Sequence, residues 1–125
     1  MKLSVLLILL FLNSAFGLDR MAEFFVESPL HKFPKTREGI QLKHAFIVKN
    51  TGETPLIISR YEVSCSCTKV TLPGPIPPGE SGHVTVEFDT NGKYYQQDRK
   101  IILFTNTKKK TEYLRFKVYV IPADE

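Results

Sequence analysis

Leu114-Arg115-Phe116-Lys117-Val118-Tyr119-Val120 carries an apolar side chain at every even position and a charged or amphipathic one at every odd position. Successive side chains leave a strand on opposite faces, so a period of two marks a strand with one face buried. Working outward, the same period recurs in Val84-Thr85-Val86-Glu87-Phe88 and in Gln41–Lys49, where Leu42, Phe46 and Val48 share one parity. Leu56-Ile57-Ile58 and Ile101-Ile102-Leu103-Phe104 are unbroken apolar runs, the pattern expected of strands buried on both faces. Phe24-Phe25-Val26 opens the series.

Between these runs lies turn chemistry. Asn50-Thr51-Gly52-Glu53-Thr54-Pro55, Pro77-Pro78-Gly79-Glu80 and Asn91-Gly92-Lys93 combine glycines that tolerate positive φ with prolines that preset their own φ. Asn106-Thr107-Lys108-Lys109-Lys110-Thr111 fits a hairpin loop between the last two strands. No segment downstream of the leader shows a helical stripe flanked by caps. Six to eight short strands in about 100 residues predict an all-β domain, an immunoglobulin-like two-sheet antiparallel sandwich, with a small β-barrel as the second choice. The chain has no Trp and no cysteine pair spaced to bridge two sheets, so the likeness is of architecture and not of descent from antibody domains.

The leader has its own pattern. Lys2 precedes an apolar run from Leu3 to Leu12, followed by Asn13-Ser14-Ala15-Phe16-Gly17, with Ala15 and Gly17 at the positions a signal peptidase reads. A membrane span needs roughly 20 apolar residues, about twice this run. Leu18 stands where a lipid-anchored form would need Cys. The expectation is a signal peptide over 1–17, a single domain over 18–125, and delivery to the periplasm or the exterior with no membrane span after cleavage.

The net charge is +4, only mildly basic, and argues against nucleic acid as a partner. Two cysteines allow one intramolecular disulfide at most, so the core and not a set of bridges must hold the domain.

Cys65-Ser66-Cys67-Thr68 is the place where the sequence hints at chemistry. A disulfide between Cys65 and Cys67 is one reading. Residues i and i+2 of a regular strand lie about 6.7 Å apart, whereas a bridge wants Cβ atoms roughly 3.8 Å apart. The backbone would have to bend sharply, and loop entropy returns only about 1.6 kcal/mol for so short a ring. Metal is the second reading, with Cys65 and Cys67 as two soft ligands for Cu(I) or half of a zinc site. His31, His44 and His83 do not stand at ligand spacing from them. The third reading is two small thiols packed at a strand end, and the fourth a bridge to another protein.

No Gly-x-Ser-x-Gly or similar nucleophile turn is found, and no catalytic residue or cofactor site is predicted. His31 beside Pro29 reads as a loop residue, and His44 and His83 as residues on the polar parity of strands. Lys93-Tyr94-Tyr95-Gln96-Gln97-Asp98-Arg99-Lys100 mixes aromatic and basic side chains, and Tyr94 and Tyr95 are the candidate interaction surface.

The ordered series Lys49-Asn50-Thr51-Gly52-Glu53-Thr54-Pro55-Leu56, Ser64-Cys65-Ser66-Cys67-Thr68, Ile76-Pro77-Pro78-Gly79-Glu80-Ser81-Gly82 and Val84-Thr85-Val86-Glu87-Phe88-Asp89-Thr90 resembles a bacterial exported family of unknown function. The hallmark of that family is Cys-Gly-Cys-Thr. The resemblance runs from about residue 38 to 120 and extends to the Hydin-like and major-sperm-protein-like branch of immunoglobulin folds. Ser66 departs from the usual Gly, which would have permitted positive φ in a bent Cys-Cys segment. The resemblance implies export and a binding or scaffolding role with a protein partner. Function is thus expected to be that of an exported, non-enzymatic interaction or structural module, the alternative being a thiol site at Cys65 and Cys67 for soft metal or disulfide exchange.

Overall fold

The structure is a computed structural model that describes residues 20–125. The leader read as a signal peptide lies outside the described residues. Nine strands follow in order: β1 (Phe24–Val26), β2 (Leu30–Lys32), β3 (Thr36–Arg37), β4 (Gln41–Asn50), β5 (Ile58–Val63), β6 (Thr68–Thr71), β7 (Ser81–Asp89), β8 (Tyr95–Thr105) and β9 (Thr111–Ile121). They form a four-stranded sheet, β1-β4-β7-β6, and a five-stranded sheet, β2-β9-β8-β5 with β3 also on β9. β2 and β3 run parallel to β9, and the other pairings between these strands are antiparallel. The all-β sandwich expected from the periodicity is the fold.

Period two sets the core. Leu114, Phe116, Val118 and Val120 of β9 are buried, as are Val84, Val86 and Phe88 of β7. The two sheets meet through aromatic rings, with Phe88 of one and Phe116 of the other at 5.1 Å between centroids. The unbroken runs behave differently from the expectation of two buried faces. Leu56 and Ile58 are buried while Ile57 is 46% exposed, and Ile102 and Phe104 are only half-buried beside fully buried Ile101 and Leu103. Each sheet has just one inner face, so even an all-apolar run turns every second side chain outward.

The loops hold by named contacts. Gly79 and Gly92 take φ of +79° and +72°, the left-handed values their turns require. Gly52 serves another purpose: a Cβ there would sit 2.2 Å from the Met21 carbonyl oxygen, so the glycine lets the segment before β1 pass against the β4–β5 loop. The hairpin expected at 106–111 joins β8 to β9.

Candidate functional site

The Cys-x-Cys pair lies not within a strand but in the turn that carries the chain from β5 of one sheet to β6 of the other. The Thr68 N–H donates to the Cys65 carbonyl at 3.1 Å, closing a four-residue turn. That bend brings the two Cα atoms to 5.2 Å, and the sulfurs are joined as a disulfide. The wider separation of a straight strand does not arise, because the backbone is already turned here. The Cys67 carbonyl accepts from the Asp89 N–H at 2.9 Å, pinning the turn to the end of β7, and Cys67 packs on the core. Both cysteines are half-buried rather than enclosed. Ser66 is not among the residues of positive φ, so this turn does not need the glycine. Among the described residues, no three His, Cys, Asp or Glu side chains come together to hold a metal ion.

Arg99 reaches inward toward the same end of the sandwich. Its guanidinium stands 5.5 Å from the centre of the Phe88 ring, and Nη2 donates to Gln97 Oε1 at 2.7 Å. Among the described residues its buried Nε has no hydrogen-bond partner.

Tyr94 and Tyr95 lie at the start of β8, 53% and 48% exposed. Tyr95 has φ of 64°, a left-handed backbone that a bulky residue rarely adopts. Its hydroxyl donates to Glu125 Oε1 at 2.8 Å, a bond that raises the phenol's pKa. Its ring stands 6.0 Å from that of Tyr119, over which Lys35 Nζ sits at 5.1 Å. Tyr94 and Tyr95 also line a shallow cleft of about 410 Å³ with Glu38 and Pro122.

Two histidines correct the sequence reading. His31 belongs to β2 and not to a loop, and His44 points inward from β4, on the parity of Leu42 and Phe46. The two imidazoles stack across the gap between the sheets, 3.5 Å between centroids and 10° between planes. Phe33 and Phe46 meet them edge-on, at 4.5 Å from His31 and 4.7 Å from His44. Burial lowers both pKa values, and for His44 the neighbouring His31 lowers it further. The parity was visible in the sequence; that two strands from different sheets would bring the rings together was not. His83 is exposed on the outer face, paired across from Ile47.

A family model described as a protein of unknown function (DUF1573) matches residues 24–120. No curated protein matches the chain. Among solved structures, a protein of unknown function from Porphyromonas gingivalis W83 superposes with a TM-score of 0.66 at 16% identity, over 80% of this chain and 46% of that one. This chain therefore spans less than half of that relative. PapD-like domain 7 of human CEP192 gives a TM-score of 0.57 at 13% identity over 82% of this chain and 86% of that one. WR4, a C. elegans MSP family member, gives 0.51 at 10% identity, over 78% and 96%. At these identities the likeness is one of fold.

Proposed function

We propose that this chain, which belongs to the DUF1573 family of proteins of unknown function, is an exported, non-enzymatic module that binds a protein partner or scaffolds an assembly. Export rests on the leader pattern at 1–17. The observation that carries the binding role is the pair Tyr94 and Tyr95, half-exposed, with Tyr95 held at φ 64°. A left-handed bulky residue costs on the order of 1–3 kcal/mol, and such strain clusters at sites of function. Tyrosine gives a rigid amphipathic contact surface with little side-chain entropy to lose. A photo-crosslinker placed at position 94 in the producing cell should capture a discrete protein. Capture should persist after Cys65→Ser with Cys67→Ser. Capture of nothing, at a position this exposed, would count against the module.

The second reading is a thiol site, favoured by the disulfide in a half-exposed turn. There an external thiolate attacks one sulfur, forms a mixed disulfide and releases the other as thiolate. Soft metal would require the reduced pair and further ligands. Loss of the crosslink on replacing both cysteines would favour this reading.

A further inference from the structure

The four-stranded sheet leaves one long edge open. Along β4 the main-chain groups of even-numbered residues face β7: the Asn50 N–H donates to the Glu80 carbonyl, and the Thr90 N–H to the Ile40 carbonyl. Groups of odd-numbered residues face the other way, toward β1. But β1 pairs only with Val48, Lys49 and Asn50 before the chain leaves for the other sheet as β2. Among the described residues, the N–H and C=O groups of Gln41, Lys43 and Ala45 therefore have no ladder partner, and all three residues are exposed.

The other edges are guarded. β5 has a register break between Ile58 and Arg60 and carries Arg60 and Glu62 paired at 3.0 Å, two devices that discourage a further strand. β6 spans only Thr68–Thr71, and β2 only Leu30–Lys32 between Pro29 and Pro34. The β4 edge is longer and apolar at its centre. Ala45 and Ile47 face outward, Ile47 is 62% exposed, and Phe25 beside them is 50% exposed. Where β1 stops, a groove of about 340 Å³ opens beside β4, lined by Phe25, Glu27, Ala45, Ile47 and Lys49. The one lysine at the free edge, Lys43, is exposed and meets Glu87 of β7 only at 4.0 Å, so its charge remains available to an added strand.

We infer that the edge of β4 from Gln41 to Ile47 accepts an extended segment of a partner protein as an added strand, running where β1 would continue. The inference rests on the interaction-module reading and names the surface and the partner's chemistry. Unpaired main-chain groups supply the hydrogen bonds of such a strand, and its alternate side chains supply specificity. Its outward residues lie beside Ile47, Ala45 and Lys43 in turn, which fits two apolar side chains followed by an acid. Its inward residues meet the rim where His31 stacks on His44.

The test uses a synthetic peptide, Val-Thr-Val-Thr-Glu-Thr-Thr, set to run antiparallel with its first Val opposite Ile47 and its Glu opposite Lys43. Amide exchange of the isotope-labelled protein should slow at Gln41, Lys43 and Ala45 and stay unchanged at Leu42 and Phe46. Ala45→Pro should abolish binding yet leave the fold intact, because proline is tolerated where a strand's N–H faces solvent. Lys43→Glu should weaken binding about tenfold, with recovery when the peptide's Glu becomes Lys. Protection at β5 or β6, or binding untouched by both substitutions, would overturn the inference. So would protection of the same amides on concentrating the protein alone, which would make a second copy the occupant. Peptide failure alongside a persistent crosslink from position 94 would sink the edge and spare the module. No crosslink from position 94 with peptide binding intact would remove the two tyrosines from the binding surface and leave the β4 edge as the module's site.

Discussion

Asn50 is fully buried, and all four of its hydrogen-bonding positions are used. Nδ2 donates to the Thr54 carbonyl at 2.7 Å and the Ile76 carbonyl at 2.9 Å. Oδ1 accepts from the Gly52 N–H at 2.9 Å and the Glu23 N–H at 3.2 Å. One side chain thus ties the segment before β1 and the loops after β4 and β6. Asn50→Ala leaves several of these groups unpaired and should cost about 3 kcal/mol in urea unfolding. Asn50→Asp should be no milder at neutral pH, since a carboxylate would face two carbonyls. The stacked histidines give a second expectation. Burial holds both imidazole pKa values below the ordinary 6.5. The unfolded chain therefore binds more protons than the fold as pH falls past 6.5, and stability declines through that window until the folded values are passed. Melting temperature should drop between pH 7.5 and 5, and His31→Gln with His44→Gln should flatten that slope.

Elements were legible wherever a period of two met a single buried face. β9, β7 and the inner parity of β4 emerged as the sequence predicts, and the turns at Gly79 and Gly92 have the positive φ expected of them. What sequence could not reveal is set by contacts between distant elements. Nothing in Phe24-Phe25-Val26 says that β1 covers only the last three residues of β4, and nothing in Ser64-Cys65-Ser66-Cys67 says that the strand ends before the motif. Gly52 shows the same limit, reading as a turn glycine but serving a close passage between segments. Its absent Cβ would also stand 2.5 Å from the Glu23 N atom. Gly52→Ala should therefore push the segment around Met21–Glu23 off the β4–β5 loop, at about 2 kcal/mol, within the range for overpacking. Amide exchange should quicken at Thr51 and Glu53, whose N–H groups donate to the Glu23 and Met21 carbonyls. Unchanged protection at both would show that the segment adjusts without letting go.

At the scale of the molecule, the question is what keeps two sheets together when the single disulfide closes a turn and not the sandwich. The bridge joins residues two apart, so it constrains almost nothing in the unfolded chain, and loop entropy sets its contribution at about 1.6 kcal/mol. It also connects no element to a distant one. The sheets instead meet through a continuous apolar layer, with Phe46, Phe88, Phe116, Ile101 and Leu103 at or below 1% exposure. Phe88 is fully buried in this layer, against Phe116 of the opposite sheet and beside the Arg99 guanidinium. Phe88→Ala should cost about 3–5 kcal/mol through lost burial and the cavity left behind. Guanidinium unfolding should therefore separate the two contributions. Reductant, or Cys65→Ser with Cys67→Ser, should shift the midpoint by about half as much as Phe88→Ala or less. Reduction that cost as much as losing the ring would mean that the turn between β5 and β6 holds the sheets in register. A small shift would leave the half-exposed disulfide free to exchange without unfolding the domain, as a thiol role at that turn requires.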